Sequence, residues 1–321
     1  MTDRILELLY DRREGFFALG ELADRVGVDR SRLDEALVEL QRAGQRLEIS
    51  PPNGVRLVRP VRLSGRLIER DLPARRIGRS VICFDEVEST NDVALEAIRQ
   101  GDTDGLVVLA ESQRRGRGRH GRRWVSPPGR NVLFSALLLG RAGAGALNHE
   151  AMTIATGLAV AEAVEQTTGL ACELKWPNDV LVDGAKLAGV LVEMRSLADV
   201  QGVVLGVGIN VNAAPDRQTV PQLTTCLADH LGHPVERIET IRALAVCLDA
   251  WADDVSAGRL DGLHDRFLSR CRMIHERTTI VCDGQRRTGR VVDIDPLRGM
   301  VLVDDDGARS YLPASSSTVI G

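Results

Sequence analysis

The chain has 321 residues and a formal net charge of −4; 27% of residues are charged, 44% hydrophobic and 3% aromatic. That profile fits two or three folded domains and excludes a disordered, collagenous or coiled-coil protein. Of 41 basic residues only two are lysine, Lys175 and Lys186, and both fall within KWPNDVLVDGAK.

The chain opens directly on an amphipathic pattern, and no apolar run nears the ~18 residues that span a bilayer. Six cysteines without a CxxC pair or clustering argue against a disulfide framework or zinc ribbon and fit a cytoplasmic location. His230-x-x-His233 lacks a further ligand at metal spacing, so no metal site is assigned.

Residues 1–60 read as a unit of their own. Ile5, Leu6, Leu8 and Leu9 predict a first helix, ended by Gly15, and residues 19–26 predict a second. After the Gly27-Val28-Asp29 turn comes a third helix over 31–43, with Ser31 and Asp34 spaced as a capping box. Strand-like runs at 46–49 and 55–58 flank Pro-Pro-Asn-Gly, a hairpin signal, so a winged helix-turn-helix is expected. Operator DNA is the partner this fold suggests, and a purely structural domain is the alternative. The unit holds 10 Arg against 11 Asp and Glu, three of them (Asp34, Glu35, Glu39) in the third helix, so it lacks the usual basic footprint.

Residues 61–79 are Arg-rich and poorly periodic, as in a linker. Over 80–270, strand patterns (81–84, 106–110, 132–139, 186–194, 203–211) alternate with helical ones (92–100, 149–167, 240–257), which predicts an α/β domain on a mixed sheet. Residues 271–321 carry short strands broken by Asp283-Gly284, Asp295-Pro296 and an Asp-rich turn at 304–307, as in a small SH3-like β-barrel. The class is α+β.

From 112 to 149 there is no acidic residue and there are eight arginines. Gly116, Gly118 and Gly121 spell GxGxxG after a strand. The dinucleotide reading fails because WVSPPG leads into another strand and no acid follows ~20 residues on. Glycine spaced between arginines suits a loop that wraps an anion, with Trp124 offering a stacking face; nucleic acid and a solvated charge run are the alternatives. In the lysine window, an Asp183-Gly184 hairpin turn would set Val182 opposite Ala185, Leu181 opposite Lys186 and Asp179 opposite Ala188. Asp179 and Lys186 then become same-face neighbours, either an ordinary cross-strand ion pair or a positioned cation.

ESTN (88–91), GRGRHGRRW (116–124), KWPND (175–179), KLAGVLVE (186–193) and GVGINVN (206–212) occur in the order seen in biotin protein ligases, and the whole chain resembles their bifunctional bacterial type, which is also a biotin-operon repressor. The resemblance implies that ATP, with Mg2+, activates biotin to biotinyl-5′-AMP. Biotin then passes to a lysine of a biotin carboxyl carrier protein, the acetyl-CoA carboxylase subunit. It implies Ser89, Thr90, Asn91 and Gln113 at the biotin ring, and Gly116, Arg117, Gly118 and Arg119 in the loop closing over biotin, with Lys186 and Gly189 beside it. Arg119, Arg122, Trp124, Asn178, Asp179, Lys186 and Asn210 fall on the nucleotide side. Lys186, Arg119, Lys175 and Asp179 are the expected catalytic set, and a homodimer, adenylate-dependent in some relatives, is the expected assembly. Three departures stand out: Arg114-Arg115 before the loop, the acidic third helix, and a C-terminus ending Ser-Thr-Val-Ile-Gly without arginine. A ligand-sensing transcription factor without catalysis and a lipoate ligase are the competing readings.

Overall fold

In the computed structural model the described residues are 1–101, 104–141, 148–197, 199–216, 218–220, 222–314 and 316–319. Helices α1 (Thr2–Asp11), α2 (Leu19–Val26) and α3 (Arg30–Arg42) pack around a small core of Ile5, Leu9, Leu22, Leu33, Leu37 and Leu40, set by apolar residues at helical spacing. The first helix stops at Asp11, short of Gly15, and Arg12 turns the chain by donating to the Phe16 carbonyl and stacking on Phe17. Left-handed Gly27 closes α2. Asp29, not Ser31, caps α3: its carboxylate accepts from Arg32 N at 2.9 Å, while Asp34 pairs with Arg30. Strands β1 (Leu47–Ser50) and β2 (Gly54–Leu57) form an antiparallel hairpin to which Phe17 adds a bridge through Val55.

The segment expected as a linker is packed instead. It contains α4 (Gly65–Glu69) and buries Val61, Leu63, Leu67, Ile68 and Ile77. Its backbone is held from far along the chain: Asp249 accepts from the amides of Arg75, Arg76 and Ile77, and Arg242 donates to the carbonyls of Leu67, Ile68 and Arg70. Beside it Glu111 receives Arg237 at 2.6 Å and Leu63 N at 2.9 Å, with both side chains nearly sequestered from solvent. Local periodicity is poor here because the partners are distant in sequence.

The centre of the molecule is a seven-stranded mixed sheet. Its strands are β3 (Ser80–Val87), β4 (Leu106–Gln113), β5 (Val132–Arg141), β6 (Glu173–Lys175), β7 (Asp179–Val182), β8 (Ala185–Leu197) and β9 (Val200–Ile209). The order is β3-β4-β5-β9-β8-β7-β6; β3 and β4 are parallel and the other pairs antiparallel. Alternation along the strands feeds two cores. Leu106, Val108, Leu137 and Val204 meet α5 (Thr90–Ala97), while Val107, Leu109, Leu138 and Leu205 face the other layer. That layer holds α6 (His149–Thr168) and, after the short α7 (Leu227–Leu231), α8 (Arg237–Ser256). Helix α9 (Asp261–Arg270), which no sequence pattern announced, leads out of the domain.

Strands β10 (Arg277–Cys282), β11 (Gln285–Asp295), β12 (Gly299–Val303), β13 (Arg309–Pro313) and β14 (Ser317–Val319) form an antiparallel sheet in the order β13-β12-β11-β10-β14. Trp176, buried under it, donates to the Pro296 carbonyl. Among the described residues no helix is long and apolar enough to cross a membrane.

Candidate active site

The β7–β8 hairpin turns at Asp183-Gly184, both left-handed, as its sequence predicts. Val182 faces Ala185 and Leu181 faces Lys186, but Asp179 lies opposite Gly189 rather than Ala188. A bulge at Leu187 causes the shift and re-aims the strand. It brings Lys186 and Gly189, three apart and otherwise on opposite faces, to the same cleft: a Cβ on Gly189 would meet Lys186 Nζ at 3.4 Å. Lys186 Nζ lies 2.7 Å from Asp179 Oδ1, both about four-fifths buried.

Glycines floor this cleft. A Cβ on Gly206 would run into the amide of Asn91 (2.7 Å to Nδ2), and one on Gly208 into the indole of Trp124 (2.6 Å to Cζ2, 2.7 Å to Nε1). Gly208 pairs with Gly189 across β8–β9, which gives Trp124 a bare backbone surface to lie on. The Lys186 ammonium sits 5.7 Å from its ring centroid. Gly116 lies outside the lining; its carbonyl accepts Trp124 N at 2.9 Å, and its lack of a side chain lets the loop close there.

At one end the cleft is polar and specific. Gln113 Oε1 accepts from Thr90 N (2.7 Å) and Thr90 Oγ1 (3.1 Å), which fixes the amide and leaves its Nε2 to donate to a ligand. Ser135 bonds Thr90 Oγ1 and Asn91 Oδ1, and Asn91 Nδ2 donates to Glu193. Ser89, at the start of α5, is buried beside them.

The arginine loop is less positive than its composition suggests, because carboxylates from outside it fold against it. Arg114 pairs with Glu86, Arg115 with Glu88, and Arg117 is clamped between Asp92 (2.7 Å) and Glu193 (2.9 Å). Arg117 therefore anchors the loop. Arg119, Arg122 and Arg123 have no carboxylate partner among the described residues and line the cleft. Burial loosens the hold of Arg119 on its proton, and its guanidinium donates to the Ala314 carbonyl at 2.8 Å. Val319 also lines the cleft, so the C-terminal sheet closes one wall.

Lys175 stands across β6–β7 from Asp179, whose carboxylate is engaged by Lys186 and Gln222. Asn178 is held by Val190 through its backbone and side chain. Asn210 Oδ1 and Trp124 Nε1 are buried without a hydrogen-bond partner among the described residues, so each keeps an unused hydrogen-bonding capacity at the cleft. Of the residues named from sequence, all but Gly116 line this one cleft. Ser135 and Glu193 were given no role in that reading, and Gly206 and Gly208 entered it only as part of the GVGINVN motif. A lone hydroxyl in VLFSALLL and a lone acid ending KLAGVLVE were the available signals.

The family model described as the Biotin/lipoate A/B protein ligase family matches residues 83–210. The chain is 30% identical over 249 residues to a bifunctional ligase/repressor BirA of Bacillus subtilis, covering 76% of each. It is 32% identical over 234 residues to a biotin–[acetyl-CoA-carboxylase] ligase of Paracoccus denitrificans, covering 71% of this chain and 95% of that one. In fold it is similar to the biotin protein ligase from Aquifex aeolicus in complex with biotin and ATP, at TM-score 0.65 and 24% identity, covering 75% of this chain and 99% of that one. With a relative of that identity matched over three quarters of its length, the chain belongs to the biotin/lipoate protein ligase family.

Proposed function

We propose that the chain is a biotin–protein ligase: it activates biotin with ATP to biotinyl-5′-AMP and transfers biotin to a lysine of a biotin carboxyl carrier protein. One observation carries the reading. A single cleft joins a fixed amide donor, Gln113 Nε2, through Lys186 and the unpaired arginines Arg119 and Arg122, to the open indole face of Trp124. The donor suits a ureido carbonyl, the cations a carboxylate meeting a phosphate, and the indole an adenine.

In the first step the biotin carboxylate attacks the α-phosphate of ATP and pyrophosphate leaves. Lys186, a compact ammonium held by Asp179, lies where these two anions must meet and offsets the charge that develops between them. Mg2+ brought by the triphosphate would neutralise phosphate charge, and the carboxylate near it among the described lining residues would be Asp179, which already serves Lys186. Arg119, tied to Ala314, closes the loop and the C-terminal wall over the mixed anhydride and keeps water from it. Residues 80–270 would then form the catalytic domain and 271–321 a small SH3-like barrel. Incubation with biotin, Mg-ATP and a carrier domain tests this: a biotin mass gain on the carrier is expected, its absence refutes the reading, and activity with lipoate instead identifies the lipoate branch of the family.

The N-terminal unit favours a second activity, biotin-responsive repression. Three helices and a hairpin are the parts of a winged helix, and α3 presents an exposed face. The exposed charges of that face balance, Arg30, Arg32 and Arg42 against Asp34, Glu35 and Glu39, so DNA affinity would rest on base contacts rather than phosphate attraction. A band shift on the promoter of its own operon tests it; no shift with biotin and ATP present leaves the ligase alone. A homodimer would form at the edge of β8, which β7 leaves open beyond Gly189 and where Leu197 is exposed.

A further inference from the structure

Lys175 is the lysine that the proposed first step does not use. It lies on the edge strand of the sheet and lines the cleft, and its side chain makes no hydrogen bond or ion pair among the described residues. Its cross-strand neighbour Asp179 is 2.7 Å from Lys186 and is reached by Gln222 as well, so the nearest carboxylate is already committed. Lys186 and Arg122 add positive charge nearby. Behind β6, Glu165 is paired with Arg270 and Glu173 with Arg272, so neither offsets that charge. Burial lowers the proton affinity of the Lys175 amine, Lys186 and Arg122 push the same way, and Asp179 opposes them in part.

The composition points to the same residue. Arginine serves as the cation at 39 of 41 basic positions, and it can supply charge but cannot release a proton at working pH. A lysine retained in this cleft without a carboxylate of its own has one property that arginine lacks.

We propose that Lys175 is the proton acceptor of the second step, resting on the ligase reading above. The carrier lysine arrives as an ammonium and gives one proton to neutral Lys175 Nζ. Its freed lone pair forms the C–N bond to the acyl carbon, the C–O bond to phosphate breaks, and the electron pair leaves on AMP. The second proton on the new amide nitrogen goes to water, and Lys175 then releases the proton it took to solvent.

Enzyme loaded with synthetic biotinyl-adenylate and mixed with carrier domain in a single turnover, between about pH 6 and pH 10, isolates this step. The wild-type rate should level off below the ~10.4 of a free lysine. With Lys175→Arg it should fall about 100-fold near neutrality and rise with pH across the whole range. Lys175→Ala should regain transfer when a tertiary amine is added, since that base takes a proton but forms no amide. A wild-type profile that tracks free lysine overturns the proposal, as does Lys175→Arg transferring within about threefold of wild type. Biotin on Lys175 itself would place it at the acyl carbon and also overturn it. Wild-type protein that neither forms nor binds the adenylate would instead refute the ligase reading.

Discussion

The glycine floor gives the sharpest test of how the cleft divides its two ligands. In Gly208→Ala the new methyl would meet Trp124 Cζ2 at 2.6 Å and Nε1 at 2.7 Å, where unstrained contacts lie at about 3.5–4.0 Å. The ring must therefore shift by roughly 1 Å. The ring already lies close over the bare backbone of Gly189 as well, where an added Cβ would stand 3.1 Å from its Cζ3, so the displacement is directed away from the strands. The indole rises into the space proposed for adenine. Overpacking of this kind costs about 1–3 kcal/mol, which corresponds to about 5–150-fold in nucleotide affinity. Gly206→Ala presses instead on Asn91, 2.7 Å from Nδ2, and should weaken biotin by a similar factor. Calorimetric titration with biotin, together with the KM for ATP in biotin-dependent pyrophosphate exchange, separates the two. A KM for ATP within about twofold of wild type in Gly208→Ala refutes the stacking argument, and so does a loss that falls on biotin alone.

Further outcomes follow from the same geometry. Lys186→Ala should slow adenylate formation by about 100-fold or more, since Lys186 is the cation held at the proposed reacting centre; pyrophosphate release within about tenfold of wild type contradicts that role. Arg237→Ala strands the buried Glu111 carboxylate, leaving it the Leu63 amide alone, and should cost about 3–5 kcal/mol in chemical denaturation; a loss below about 1 kcal/mol would show that the site is hydrated. With only two lysines in the chain, peptide mapping after prolonged turnover should find little biotin on the enzyme, and heavy labelling at Lys175 or Lys186 counts against that.

Sequence patterns located most of the regular elements because their signals are local. A continuous apolar run marks β4, alternation marks β8, helical spacing marks α3, and Asp183-Gly184 marks the hairpin turn. They failed where partners are remote. The packing of 61–79 depends on Asp249 and Arg242, and the cap of α3 on which of two nearby polar side chains reaches the free amides. The charge of the arginine loop was overread for the same reason, because composition counts the eight arginines and cannot see Glu86, Glu88, Asp92 and Glu193 folding against three of them.

By itself the sequence determined which residues belong together: the motif order, the two lysines in one window, and the glycines of GVGIN. Spacing and side-chain chemistry are properties of the chain alone. Only the tertiary structure decided what each residue does there. The one-residue bulge at Leu187 turns Lys186 and Gly189 to the same side, and the pairing of Gly189 with Gly208 makes a floor for an indole from a distant loop. Asp179 is drawn to Lys186, which leaves Lys175 without a carboxylate of its own. Charge and hydrogen bonding act over a few ångströms, and which groups come that close is set by strand register, a relation between segments that no single segment encodes.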